Sequence, residues 1–165
     1  MFWVEGSFPG RLAIVPRPRG SDWLDRDVHA LRKESVDVLV SLLIPSEAAE
    51  LQLEQEGDEC TKAGVEFESF PIVDRSVPDS AEAFAELAHR LAAKLAIGQN
   101  VGVHCRQGIG RSSLLAAATL TAAGIDPSAA LRKVSEARGV MVPETAEQRR
   151  WFDDFARRYL PALAR

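Results

Sequence analysis

Short apolar runs that alternate with helical patterns constrain the fold of this 165-residue chain most strongly. The runs VDVLVSLL (36–43) and NVGVHC (100–105) are rich in valine, as is typical of strands buried on both faces of a parallel sheet. The run VEFESFPI (65–72) alternates apolar and polar residues and predicts another strand. Strands that alternate with helices predict an α/β fold with a central, mainly parallel sheet flanked by helices. The length fits a single domain over residues 1–165.

Start and stop signals place the remaining elements. Ser21 is expected to cap one helix, and Pro45 is expected to open a second helix that runs to Gly57. Asp79 and Glu82 form a capping-box pattern before a long helix. The predicted helices are 22–35, 45–57, 80–98, 111–123, 127–138 (capped by Asp126) and 143–159, and two short strands are predicted at 2–6 and 11–15.

The composition limits the cellular setting. The formal net charge of −4 argues mildly against a dedicated nucleic-acid binder, which usually presents a basic face. Cys60 and Cys105 are the two cysteines and give no disulfide framework, so we expect a reducing compartment, the cytoplasm. We expect no secretory signal, because Glu5 and Gly6 interrupt the first apolar stretch early, and no membrane insertion, because no apolar run approaches about 18 residues. No sequence feature predicts the oligomeric state.

The segment VGVHCRQGIGRSS (101–113) ends a predicted strand in a cysteine and leads directly into a helix. Gly108 and Gly110 let the main chain approach a ligand closely, so several N–H groups of the loop can point at one spot. The helix N-terminus favours an anion, and Arg111 adds a guanidinium fork suited to two phosphate oxygens. Thiols in such surroundings ionise readily, so Cys105 is expected to attack phosphorus. The predicted phosphate-binding residues are Arg106, Gln107, Gly108, Ile109, Gly110 and Arg111.

The stretch HCRQGIGRS resembles the signature of the protein tyrosine phosphatase superfamily, which reads His-Cys, five residues, Arg, then Ser or Thr. Residues 22–43 also resemble the early helix and strand of the small dual-specificity, kinase-associated branch. The resemblance implies that Cys105 forms a phosphocysteine while Arg111 holds the phosphoryl oxygens. It also implies that Ser112 donates a hydrogen bond to the departing sulfur, the alternative being an ordinary serine in the first turn of a helix.

The resemblance extends to both sides of the signature. The stretch SFPIVDRSVPD (69–79) lies about 30 residues before it, where dual-specificity phosphatases carry their general acid. Asp74 matches that acid best, and Asp79 is a rival whose capping position gives it another role. Downstream, VPETAEQRRWFDDF (142–155) resembles the segment whose glutamine positions the hydrolytic water, and Gln148 matches that glutamine. The alternatives are a turn aspartate for Asp74 and an exposed helix residue for Gln148.

The three histidines and Cys60 receive less specific assignments. His104 is expected either to fix the loop from behind or to tune the neighbouring thiol. Cys60 is favoured as a plain thiol over a protective disulfide with Cys105, which the resemblance to some relatives would allow. His29 and His89 lie in helical patterns without ligand spacing, so we predict no metal site and no cofactor.

The resemblance also bears on the substrate. The chain lacks the added segment that deepens the pocket of longer tyrosine-specific enzymes, so the predicted substrate is phosphotyrosine in proteins or peptides, with phosphoserine and phosphothreonine as further substrates. Relatives that act on phosphoinositides often carry lysines in the signature loop, whereas Arg106 is the one extra cation here. Phosphoinositides, inositol phosphates and RNA 5′-phosphates stay open as substrates. A phosphate-binding module without turnover, and sulfur or arsenate chemistry on a similar loop, stay open as functions.

Overall fold

Strands and helices alternate along residues 1–161, the part of the chain that the computed structural model describes. The strands are β1 Phe2–Val4, β2 Leu12–Ile14, β3 Val38–Ser41, β4 Glu66–Ser69 and β5 Val101–His104. The helices are α1 Leu24–Lys33, α2 Pro45–Glu50, α3 Glu56–Ala63, α4 Ala81–Ala96, α5 Arg111–Ala122, α6 Pro127–Arg138 and α7 Ala146–Tyr159, with a 3₁₀ turn at Ser21–Trp23.

The strands form one sheet in the spatial order β1-β2-β5-β3-β4. Strand β1 runs antiparallel to β2, and the other neighbours are parallel. Val103 of β5 lies opposite Ile14 of β2 and Val40 of β3, so the carboxyl ends of these strands meet at one edge. Ligands of parallel sheets bind at this edge. The predicted α/β fold with a mainly parallel central sheet is confirmed.

Side chains that alternate along the strands contribute to a core cluster on each face of the sheet. Val38 and Val40 of β3 pack with residues of α4 to α7, whereas Leu39 packs with residues of α1 and α3. Helix α5 is buried from Arg111 to Thr121, which explains why its sequence is dominated by alanine and leucine. None of the helices within residues 1–161 combines the length and the hydropathy needed to span a bilayer.

Two helix predictions fail around one tertiary contact. The backbone N–H of Ser21 donates to the carbonyl of Gln52 (3.2 Å), and both residues have left-handed φ angles of 56°. Ser21 therefore begins the 3₁₀ turn instead of capping α1, whose N-cap residue, Trp23, makes no side-chain cap hydrogen bond. The predicted helix over 45–57 is likewise wrong: it divides into α2 and α3, and the connection buries Leu53.

The capping box assigned to Asp79 and Glu82 is also wrong. The N-cap of α4 is Ser80, whose Oγ accepts a hydrogen bond from the Ala83 N–H (3.1 Å). Asp79 is exposed, and the carboxylate of Glu82 accepts the hydroxyl hydrogen bond of Tyr159 instead (2.8 Å). The helix starts one residue later than the pattern indicates because serine is as good an N-cap residue as aspartate.

The two helices that follow α5 start on capping residues. Asp126 caps α6 as predicted, accepting from the Ala129 N–H (3.1 Å). Helix α7 begins at Ala146, later than the predicted residue 143, because Thr145 is its N-cap.

Candidate active site

The loop from Cys105 to Gly110 joins the end of β5 to the N-terminus of α5, at the carboxyl edge of the sheet. The sulfur of Cys105 is buried, accepts a hydrogen bond from the Gly108 N–H (3.2 Å) and lies 3.4 Å from Ser112 Oγ. Gly108 has a φ of 71°, a conformation that side chains other than glycine rarely adopt. The loop thus supplies a backbone donor to the sulfur, and the first turn of α5 places a hydroxyl beside it, an arrangement that favours negative charge there.

Arg111 extends from the first turn of α5 beneath this loop and is 1% exposed. Its two Nη atoms contact both carboxylate oxygens of Glu47, at 2.7 and 3.0 Å, and Nη1 also donates to the Ile72 carbonyl (2.8 Å). Burial alone would lower the pKa of Arg111, but the Glu47 hydrogen bonds and the charges of nearby acidic groups raise it overall. The guanidinium is therefore charged and fixed in orientation.

Glu47, on α2, is a site residue that the sequence reasoning missed. Burial alone would raise its pKa, but hydrogen bonds from Arg111 and from the Ile44 N–H, together with the Arg111 charge, lower it overall. A buried guanidinium without such a carboxylate would be strongly unfavourable.

The loop Cys105–Gly110 and the Arg111 guanidinium together form the candidate phosphate site, here called the cradle, and Asp74 lies beside it. Its Oδ1 is 3.0 Å from Arg111 Nη2, and half of its side chain is exposed to solvent. A phosphate held by Arg111 would therefore lie beside this carboxylate. The structure brings together Cys105, Arg111, Ser112 and Asp74, and their catalytic roles remain proposals.

Gln148, the candidate water-positioning residue, is completely buried and packs against the cradle. A Cβ atom added to Gly110 would lie 2.9 Å from its Nε2, so a larger residue at 110 would displace the Gln148 amide. Its Nε2 donates to the Ser76 carbonyl (2.9 Å), and its Oε1 accepts from the Thr145 N–H (3.2 Å). Gln148 thus connects the loop that carries Asp74 with the N-terminus of α7, and it is not the exposed helix residue of the alternative reading.

His104 precedes the nucleophile and is completely buried. Its Nε2 lies 2.6 Å from Glu56 Oε1 on α3, and Glu56 is also buried. This contact ties the end of β5 to α3, which supports the expected role of fixing the loop from behind. Glu56 is a second carboxylate that the sequence reasoning missed.

The variable loop positions differ in their surroundings. Arg106 pairs with Glu50 through both of its Nη atoms, at 3.0 and 3.2 Å. Gln107 is exposed, and Ile109 is half-buried against the core. The Gly108 carbonyl accepts a hydrogen bond from Arg138 Nε (2.7 Å), a contact that the sequence did not predict. Glu50 and Arg138 therefore hold the loop in addition to the His104–Glu56 contact at its start.

Cys60 is a free thiol in α3, in the core cluster on the opposite face of the sheet from Cys105. Burial, with the charges of Glu56 and Glu59, raises its pKa to about 12. This environment is that of a plain core thiol. Within residues 1–161, no three side chains of the metal-ligating types come together.

Two comparisons with known protein sequences bear on the family of this chain. Residues 14–125 match the family model Tc-R-P, described as "Polymorphic toxin system, DSP-PTPase phosphatase". Comparison with curated protein sequences gives no significant match.

Solved structures show the same fold. Kinase-associated phosphatase with its catalytic cysteine replaced by serine is similar with a TM-score of 0.79 and 22% identity, over 93% of this chain and 88% of that one. Tk-PTP in its active form is similar with a TM-score of 0.74 and 25% identity, over 95% and 97%. PTPMT1 in complex with PI(5)P is similar with a TM-score of 0.69 and 22% identity, over 88% and 90%.

The family match covers the strand before the cradle, the cradle itself and helix α5. The chain belongs to the Tc-R-P family of DSP-PTPase phosphatases and is a cysteine-based phosphatase of the dual-specificity type.

Proposed function

We propose that this phosphatase removes phosphate from phosphotyrosine side chains of proteins or peptides through a phosphocysteine intermediate. The observation that carries the proposal is the 3.0 Å contact between Asp74 Oδ1 and Arg111 Nη2, beside a sulfur that accepts a hydrogen bond from the Gly108 N–H. The site thus combines a nucleophile, a guanidinium and a candidate acid, the three groups that this chemistry needs.

In the first step the Cys105 thiolate forms a bond to phosphorus while the bond between phosphorus and the tyrosyl oxygen breaks. Asp74 gives its proton to that oxygen, and Arg111 with the loop N–H groups binds the phosphoryl oxygens. In the second step Asp74 accepts a proton from water as the water oxygen attacks phosphorus, with Gln148 positioning the water. The bond between sulfur and phosphorus breaks, and Ser112 donates a hydrogen bond to the sulfur as it leaves.

The residues around the cradle favour an aryl phosphate. Val73, next to the candidate acid, is 54% exposed and offers apolar surface for a ring. Arg106, the extra cation of the loop, is paired with Glu50 and is therefore less available to a second phosphate on an inositol ring. The free thiols of Cys60 and Cys105 are consistent with a reducing compartment, and we place the enzyme in the cytoplasm.

Turnover on a substrate panel tests this proposal. Phosphate release is measured with phosphotyrosine, phosphoserine and phosphothreonine peptides, phosphoinositide vesicles, inositol phosphates and RNA 5′-phosphates, with Cys105→Ser as the inactive control. We expect the highest kcat/KM for phosphotyrosine peptides. A higher value for an inositide or an RNA would overturn the substrate assignment, and wild-type protein that binds phosphopeptides without turnover would be a binding module.

A further inference from the structure

Glu144 lies in the connection between α6 and α7, shortly before Gln148. Its Oε1 accepts a hydrogen bond from Arg75 Nη1 (2.7 Å), and 27% of its side chain is exposed. Its Oε2 accepts no hydrogen bond from any donor within residues 1–161. A Cβ atom added to Gly110 would lie 3.1 Å from this oxygen. Because Gly110 is the last residue of the cradle loop, an unused carboxylate oxygen lies beside the cradle.

The amide of Gln148 lies at the same place as this oxygen. The same added Cβ atom would lie 2.9 Å from Gln148 Nε2 and 3.1 Å from its Oε1. Most of the amide is already engaged, because Nε2 donates to the Ser76 carbonyl and Oε1 accepts from the Thr145 N–H. One N–H of Nε2 is left. Gln148 is therefore equipped to donate a hydrogen bond to a water molecule but is poorly equipped to accept one from it.

A water molecule that attacks a phosphocysteine needs two acceptors. One of its lone pairs faces phosphorus, the other lone pair accepts a hydrogen bond, and its two O–H groups donate. Asp74 provides one acceptor, and the cradle adds only donors, which are the loop N–H groups and the Arg111 guanidinium. Glu144 Oε2 provides the second acceptor, and the remaining N–H of Gln148 suits the second lone pair.

The charges around Glu144 permit this role. Two carboxylates beside a phosphoryl group would ordinarily repel it. Here each carboxylate has a guanidinium partner, since Arg75 pairs with Glu144 and Arg111 contacts Asp74. Arg75 directly follows Asp74 in the sequence, so the same ion pair brings Glu144 to the loop that carries the candidate acid.

We propose that Glu144 is a further catalytic residue of the second step, in which its Oε2 accepts a hydrogen bond from the attacking water. This inference rests on the proposed function. The bond between the water oxygen and phosphorus forms, and the bond between sulfur and phosphorus breaks with its electron pair returning to the Cys105 sulfur. One water proton passes to Asp74, and the other stays on the product phosphate, hydrogen-bonded to Glu144. Water takes no part in the first step, so Glu144 acts in the second step only.

Rapid mixing with nitrophenyl phosphate tests this role in the variant Glu144→Gln. Arg75 only donates, so it retains the amide oxygen, and the NH₂ group replaces Oε2 by a donor. We expect kcat to fall by roughly ten- to hundredfold, the value of one hydrogen bond to a charged group. KM should fall with it, so that kcat/KM, which reports the first step, stays near the wild-type value. The nitrophenolate burst should approach one per enzyme, and mass spectrometry after an acid quench should find phosphate on Cys105.

Two variants serve as controls. Arg75→Gln breaks the same ion pair but keeps the Glu144 carboxylate, so it should not accumulate phosphocysteine. Glu147→Gln makes the same chemical change at an exposed position in the first turn of α7, and it should behave as wild-type protein does.

The outcomes separate this inference from the proposed function. If Glu144→Gln loses kcat/KM as Arg75→Gln does and accumulates no phosphocysteine, Glu144 only holds the Asp74 loop and the inference is overturned. A wild-type kcat in Glu144→Gln overturns it as well. Phosphocysteine that accumulates with nitrophenyl phosphate, in a protein that does not hydrolyse phosphotyrosine peptides, contradicts the proposed substrate and supports the role of Glu144. Absence of phosphocysteine in every variant, including a slowed Glu144→Gln, contradicts the covalent mechanism and this inference together.

Discussion

Arg75 and Glu144 form an ion pair, with 2.7 Å between Nη1 and Oε1, that joins the loop carrying Asp74 to the connection between α6 and α7. Gln148 reinforces this link through the Ser76 carbonyl. The link matters because Arg75 has a left-handed φ of 60°, a conformation that is unfavourable for a residue other than glycine. Contacts on both sides of the loop thus hold the candidate acid over the cradle.

Arg75→Gln should lower kcat by roughly two- to fivefold, the effect expected of an exposed ion pair that positions another residue. The effect should be larger for alkyl phosphates, which need the acid, than for nitrophenyl phosphate. Arg90→Gln removes a comparable exposed pair with Glu68 on another face and serves as the control. Equal kcat values for both variants would show that the Arg75 link does not position the acid.

Asp74→Asn should reduce kcat by roughly 10²- to 10⁴-fold for a poor leaving group and by less for a good one, because it removes the proton donor. Steady-state kinetics with an alkyl phosphate and with nitrophenyl phosphate measure the two effects.

Asp79→Asn is the matched control for this experiment. Asp79 is exposed, and Ser80 is the N-cap of α4, so this variant should change neither the rate nor the melting temperature appreciably. If Asp79→Asn loses at least about 10²-fold in kcat for a poor leaving group while Asp74→Asn keeps its rate, the acid is Asp79 and the loop moves in the enzyme–substrate complex.

Glu47→Gln should destabilise the fold by up to about 3–5 kcal/mol near neutral pH, because it removes the buried one of the two carboxylates that pair with the Arg111 guanidinium and leaves only the half-exposed Asp74. The folded-state pKa of Glu47 lies below its ordinary value of 4.5, so its carboxylate stabilises the fold above that pH. This contribution is lost as the pH falls through the folded-state pKa. The stability difference between wild-type and variant should therefore shrink under acidic conditions, as measured by urea unfolding over a pH series.

Glu50→Gln provides the control on the same helix, since Glu50 is exposed and pairs with Arg106 at the rim. It should leave unfolding nearly unchanged. A Glu47→Gln protein with wild-type stability at every pH would mean that the buried pair contributes nothing to the fold.

The residues of the cradle could be predicted because their relation is local: Cys105, Arg111 and Ser112 lie within one strand–loop–helix unit. The carboxylates that support them could not. Glu47 meets Arg111 across 64 residues of sequence, and Glu56 meets His104 across 48. A buried arginine requires a carboxylate, but several acidic residues between 47 and 59 could have supplied it, and only the tertiary structure selects among them.

The wrong helix predictions have the same origin. The stretch from 47 to 56 consists of good helix formers and contains neither proline nor glycine, so propensity predicts one continuous helix. The connection at Gln52 instead packs against the chain at Gly20, where an added Cβ would lie 2.0 Å from the Leu51 carbonyl oxygen. This contact breaks the helix and places Glu47 and Glu56 on separate helices.

Turnover should persist in excess EDTA, because the proposed steps use a thiolate, an arginine and a carboxylic acid and need no metal. Vanadate should inhibit competitively, since it can occupy the phosphate position next to the Cys105 sulfur. Initial rates with nitrophenyl phosphate test both statements. Activity that is lost in EDTA and restored by a divalent cation would contradict the proposed mechanism.

Iodoacetamide should modify one cysteine at neutral pH and abolish activity. Cys60 has a pKa of about 12 and lies in the core cluster of α1 and α3, so it stays a neutral thiol, whereas the Cys105 sulfur accepts a hydrogen bond from the Gly108 N–H in the candidate phosphate site. Mass spectrometry of the labelled protein should place the modification on Cys105. Inorganic phosphate should slow the labelling, because it occupies the same position as the substrate.

Peroxide should inactivate wild-type protein and Cys60→Ala at the same rate, and no disulfide between Cys60 and Cys105 should form. The two thiols belong to core clusters on opposite faces of the sheet, so a disulfide, which requires Cα atoms within about 7 Å, would need the sheet to open. Cys105 alone would then proceed to a sulfenic acid that added thiols reduce. A Cys60–Cys105 disulfide found by peptide mapping, together with faster irreversible loss of activity in Cys60→Ala, would show that Cys60 protects the nucleophile and that α3 moves during oxidation.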